Sequence, residues 1–167
     1  MGPETTTPGH VRERDEGGLA VTEDEDELAS PVRFDTKIAV LVCDGLLAWQ
    51  ELNVTAFLIS GIATSAPGLT GDTYKDADGN EYLPMLRQPV LVFSAGSEQL
   101  ARARARALER GIATSIYTRD LFTTGDDASN RGAVAAVSAT DLDLVGVAMR
   151  GPKNAIDRIT KGHAKHF

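Results

Sequence analysis

A second cysteine is missing from these 167 residues. Cys43 therefore has no intrachain disulfide partner and no companion thiol with which to build a metal cage. No apolar run approaches the roughly 18 residues that a membrane span needs, and no basic-then-apolar leader opens the chain, so a cytoplasmic protein without a membrane partner is expected. Beyond His10 no histidine occurs before His163. A thiol nucleophile at Cys43 thus lacks a sequence-adjacent base, and His163 and His166, three apart, have no further ligand types nearby to complete a metal site. No metal and no cofactor is expected.

A basic excess is also missing, and the net charge of -7 is unevenly spread. Residues 1–33 hold nine acids against three arginines and so carry -6 of it, leaving the remainder at -1. A nearly neutral body lacks the electrostatic footprint of a nucleic-acid binder. Residues 1–30 contain no aromatic side chain and mix Pro, Gly, Thr and Glu. Such a stretch cannot bury enough surface to offset its ordering entropy, so residues 1–33 are expected to be a disordered acidic tail. Its run Glu23 to Glu27 reads as a solvated stretch or as a docking site for a basic partner. What is left, residues 34–167, is the length of one domain and should bury roughly two-thirds of its unfolded surface without staples.

Within that body Lys37 to Cys43 (KIAVLVC) is apolar on both faces, the signature of a central strand covered on both sides. From Leu46 to Ala63 apolar residues recur at helical spacing (Leu46, Trp49, Leu52, Val54, Phe57, Leu58, Ile62). Asp78-Gly79-Asn80 marks a turn between short extended pieces. Read as a calcium loop with Gly79 sixth, that segment would place Tyr74 first and Met85 twelfth, so the charged ligands are missing. Pro89 to Ala95 gives a second strand. Ser97 opens a helix with Leu100, Ala103, Ala107 and Leu108 inside and Gly111 as its stop. Residues 112–117 and 142–149 give two more strands, and Pro152 begins a last helix. The fold class expected is α/β, a small mixed four-stranded sheet with helices on both faces. Arg102, Arg104, Arg106 and Arg110 lie on the second helix, where residues two apart point about 200° apart, so their charge is spread and forms no groove.

Three segments together carry a resemblance: LVCDGLLAWQELNVTAFLISGIA (41–63), YTRDLFTTGDDASNRGAV (117–134) and DLDLVGVAMRGPKNAIDRITKGH (141–163). They are similar to the family called Domain of Unknown Function 2000, and the likeness runs from Lys37 to the C-terminus. That resemblance implies the type II peptidyl-tRNA hydrolase fold. The ending LVGVAMRGPKNAIDRITKGHAK is itself similar to those hydrolases, which cleave the ester joining a peptide to tRNA and pair as homodimers. After the first strand, however, this chain has LLAWQELN where a hydrolase has a glycine- and lysine-rich turn, which removes the cations that would contact phosphate.

In open α/β sheets ligands bind outside the carboxyl ends of strands. Asp44, the segment 117–130 and Arg150 each follow a strand, so the expected site gathers Asp44 and Asp127 as candidate catalytic carboxylates. Around them the expected binding residues are Trp49, Gln50, Asn53, Thr124, Asn130, Arg131 and Arg150. Carboxylates supply a general base, guanidinium groups clamp an anion, and Gln50 and Asn53, three apart on one helical face, read donors and acceptors. Thr123-Thr124-Gly125 offers successive amides to an anion. Each also has a plain structural explanation: Asp44 and Asp126 as helix caps, the arginines as their surface partners, Trp49 as core, the threonines as hydroxyl caps in a turn. Three functions follow as expectations. The first is a small-molecule enzyme or binding protein for a small polar or anionic ligand. The second is an ester hydrolase or transferase acting on peptidyl- or aminoacyl-tRNA. The third is a non-catalytic homodimeric interaction protein.

Overall fold

In a computed structural model, which describes residues 32–166, the run apolar on both faces forms β1 (Thr36–Cys43), buried throughout from Ile38 onward. The expected acidic tail lies outside the described residues except at its last two positions. Gly45, at φ +79, turns the chain from β1 toward α1 (Ala48–Ala63). A short hairpin, β2 (Tyr74–Lys75) and β3 (Glu81–Tyr82), then precedes β4 (Val90–Ala95). After it come α2 (Ser97–Glu109), β5 (Ala113–Thr118) and a 3-10 turn over Arg119–Phe122. The chain continues through α3 (Asp127–Ala135), β6 (Leu144–Pro152), α4 (Lys153–Thr160) and β7 (Ala164–Lys165).

The main sheet has five strands in the order β5-β6-β1-β4-β7, one more than the sequence pattern predicts. The extra one, β7, is two residues long and exposed, too short to register as a periodic segment. β1 and β4 run parallel, linked by α1; β6 runs antiparallel to both its neighbours, β1 and β5. α1 covers one face of β1, β6 and β5, while α2 and α4 cover the other.

The α1 face is packed to backbone contact. A Cβ on Gly146 of β6 would overlap Val54 Cγ1 and lie 2.8 Å from Leu58 Cδ1, so only glycine lets the helix settle there. The Ser115 hydroxyl of β5 donates to the Leu58 carbonyl (2.8 Å), pinning the same helix to the neighbouring strand. Only Val54, Leu58 and Ile62 of the helix are buried; Trp49, Leu52 and Phe57, counted into the apolar stripe by spacing, stand exposed. Leu108, expected inside α2, is exposed as well, and Gly96 rather than Ser97 occupies the cap position. Among the described residues no helix is long and apolar enough to cross a membrane.

Candidate functional site

Trp49, Asn53, Phe57 and Ser60, spaced four, four and three apart, form the flank of α1 that faces the end of β5. Together with Tyr117, the 3-10 turn and the start of α3 they enclose a hollow of about 460 Å³ lined also by Phe122, Thr124, Asp126, Asp127 and Asn130. A second hollow of about 490 Å³ adjoins it, sharing Phe57, Tyr117, Leu121, Asp127 and Asn130, and is lined further by Arg131 and Val134.

Four of the chain's nine aromatic residues meet here. Trp49 and Phe122 sit edge to face (5.7 Å, 70°), as do Phe57 and Tyr117 (5.9 Å, 71°), and Tyr117 and Phe122 are tilted at 5.1 Å. The Tyr117 hydroxyl donates to Asn53 Oδ1 (3.1 Å), bridging strand and helix, and burial pushes its pKa up so that it remains a donor.

The polar rim is held by local bonds. The Thr124 hydroxyl bonds the Leu121 carbonyl (3.0 Å) and the Asn130 side chain, and Thr123 caps the Asp120 carbonyl (2.8 Å). Both threonines therefore act as hydroxyl caps of the turn. Asp126 caps α3, accepting from the Ser129 hydroxyl (2.6 Å) and amide (3.0 Å), and these bonds lower its pKa. Asp127 pairs with Arg131 one turn on.

Of the residues expected from sequence, the fold thus brings together Trp49, Asn53, Thr124, Asp127 and Asn130, with Arg131 at the side. Gln50 is turned away, its Oε1 accepting the Leu47 amide (3.0 Å) as a helix cap. Asp44 is exposed on the β4 side of β1, where its amide donates to the Ala95 carbonyl (3.1 Å), and it lines neither hollow. Arg150 is displaced furthest. In the antiparallel register it stands opposite Ile38, six residues before Asp44, hence roughly 20 Å away at about 3.3 Å per residue. The expectation that Arg150 follows β6 into a shared strand-end site is corrected by direction: β6 runs the other way.

Sequence reasoning missed Phe57, Tyr117 and Phe122 as site walls, because apolar spacing assigns such residues to the core. It also missed a cluster on the opposite flank of α1. Ser94 of β4 bonds His166 Nδ1 (2.9 Å), and His166 Nε2 lies 3.5 Å from Glu51 Oε2. These three are separated by scores of residues, and no local motif announces them. Asp76, placed in the excluded calcium loop, is the acceptor of an exposed turn. It takes the Asn80 side chain, the Tyr82 hydroxyl and the amides of Asn80 and Asp78, which bring its pKa down to about 2. Among the described residues no group of three or more metal-ligating side chains occurs.

Residues 36–166 match the family described as protein of unknown function (DUF2000). The chain is 44% identical to a protein of unknown function, Atu0240, from Agrobacterium tumefaciens strain C58, whose solved structure superimposes with a TM-score of 0.78 over 81% of this chain and 100% of that one. No curated protein matches.

Proposed function

Since the chain belongs to the DUF2000 family, whose description names no activity, the site must supply the functional reading, and we propose that the aromatic-walled hollow binds a small organic molecule. The observation that carries this is the exposure of Trp49 (57%) and Phe57 (52%) on walls of one concave surface. Aromatic faces left in water at a concavity cost free energy that a ligand recovers, and nearby amides and hydroxyls set its orientation. Asn53, Tyr117 and Asn130 are those groups. A thermal-shift screen of small metabolites, with hits mapped by amide chemical shifts, tests the reading. A ligand at 100 times its Kd adds about 2.7 kcal/mol to stability. Hits that perturb residues 49–60 and 117–130 support it; hits that map elsewhere, or none, sink it.

A second reading, an ester hydrolase or transferase, is favoured by the Ser94, His166 and Glu51 cluster. With the Glu51 carboxylate holding the proton on Nε2, Nδ1 is free to take the Ser94 proton as the hydroxyl attacks an ester carbonyl. The same nitrogen would return that proton to the leaving alcohol, and water would release the acyl group. Labelling by a fluorophosphonate that disappears in Ser94→Ala, together with cleavage of peptidyl-tRNA, is the expected result; an unlabelled chain ends the reading. A type II peptidyl-tRNA hydrolase arrangement and a homodimeric state belong to the same proposal. The mixed sheet, with helices on both faces and a Gly151-Pro152 passage into α4, supports the first. Light scattering tests the second.

A further inference from the structure

We propose that the ligand of the aromatic hollow is an organic ammonium ion, an amine or quaternary ammonium carrying a small apolar body; this rests on the ligand-binding reading above and narrows it.

Charge is the first ground. Asp126 and Asp127 line the hollow, and none of the described residues lining it is a cation. The nearest guanidinium, Arg131, is committed to Asp127, and Arg150 lies at the other end of the sheet. An anion would therefore meet two carboxylates against one guanidinium already paired with Asp127, a rim of net negative charge with no free clamp. The start of α3, where unpaired amides would otherwise favour an anion, is already closed by Asp126, which takes the Ser129 amide. A neutral ligand would gain nothing from Asp126, the rim carboxylate without an ion pair, whereas a cation would be attracted to it.

The second ground is the shape of the walls. Trp49 against Phe122 and Phe57 against Tyr117 meet at 70° and 71°, so neighbouring rings turn corners and do not stack flat. Ring faces are the electron-rich side of the aromatic quadrupole, and the exposed Trp49 and Phe57 leave aromatic surface at the hollow open to an occupant. Aromatic surface of this kind attracts alkylammonium groups. Hydrogen bonds to the Asp126 carboxylate from Ser129 keep it ionised. Neither carboxylates nor aromatics would carry the assignment alone; their convergence on one 460 Å³ hollow does.

Trp49 is the chain's one tryptophan, so its emission reports directly on this space. The full chain is titrated with choline, with its neutral isostere 3,3-dimethyl-1-butanol, and with 3,3-dimethylbutyrate. Choline is expected to change Trp49 emission with an affinity at least about tenfold above that of the alcohol, and to weaken as salt rises. The butyrate should give no response. Asp126→Asn retains a capping side chain at the start of α3 and is expected to weaken choline several-fold while the chain still melts in a single cooperative transition. Equal or tighter binding of the alcohol or the butyrate overturns the ammonium assignment while leaving the hollow a ligand site. No response to any of the three probes also overturns it, and the metabolite screen then decides separately whether the hollow binds anything.

Discussion

Tyr117, at the end of β5, donates its hydroxyl proton to Asn53 of α1 at 3.1 Å, and this bond joins the strand tip to the helix flank, two of the walls that bound the hollow. Tyr117→Phe should cost about 0.5 to 1.5 kcal/mol in denaturant unfolding, the net worth of such a bond. The sign of its pH dependence follows from burial. A phenol pKa raised above its ordinary 10.0 means that the folded chain holds the proton more tightly. The stability is therefore fully present below about pH 10 and falls as pH rises toward the folded value. Melting curves from pH 8 to 11 should show a decline that Tyr117→Phe makes shallower; parallel curves would contradict the assignment.

Gly146→Ala should destabilise the fold by about 1 to 3 kcal/mol, the usual range for overpacking. The new Cβ meets Val54 and Leu58, both buried on the sheet side of α1, so both side chains must shift within the core. Urea unfolding measures the loss. Val54→Ala in the same chain should recover part of it by removing the first obstacle, and a simple sum of the two losses would show that the contact is not the cause.

The Asp76 carboxylate organises the β2–β3 turn, so the turn should loosen only in strong acid. A carboxyl pKa lowered from 3.8 to about 2 gives stabilisation that is complete above the unfolded value and lost as pH falls through about 2. Amide shifts of Asp78 and Asn80, followed from pH 5 to 1.5, should titrate near the lower value. A midpoint at 3.8 or above would mean that the four donors do not hold the carboxylate in solution.

Arg150→Gln should leave ligand affinity at the aromatic hollow unchanged to within about twofold, because sites this far apart and sharing no partner act independently. Trp49 emission titrations with choline compare the two chains. A large loss of affinity would mean that Arg150 reaches the hollow despite its register opposite Ile38.

Much of this architecture is legible in the chain itself. The runs 37–43, 89–95, 112–117 and 142–149 announce strands by composition, and Ser97 to Gly111 announces a helix; the first three strands fall within one residue of the observed bounds, while β6 starts two residues later and ends three later and α2 ends at Glu109. The family resemblance is carried by Trp49 to Asn53, Phe122 to Arg131 and Ala148 to Gly151, and the DUF2000 match covers them all. Half of the candidate site was legible too. Asn53, Thr124, Asp127 and Asn130 are polar residues beside strand ends, and the fold collects them. Of the aromatic walls Trp49 was legible as well, but Phe57, Tyr117 and Phe122 were not, because periodicity counts Phe57 as apolar without saying whether anything covers it.

The amino-acid sequence by itself determined which segments are extended, which are helical, where the charge lies and which family the chain joins, since propensity, period and composition are local quantities. Only the tertiary structure decided that β6 runs against β1. An apolar strand reads the same in either direction, and the choice depends on long-range pairing that no local pattern encodes. That one reversal carries Arg150 away from Asp44, and the packing of α1 over Gly146 leaves Trp49 and Phe57 to face a hollow instead of a core.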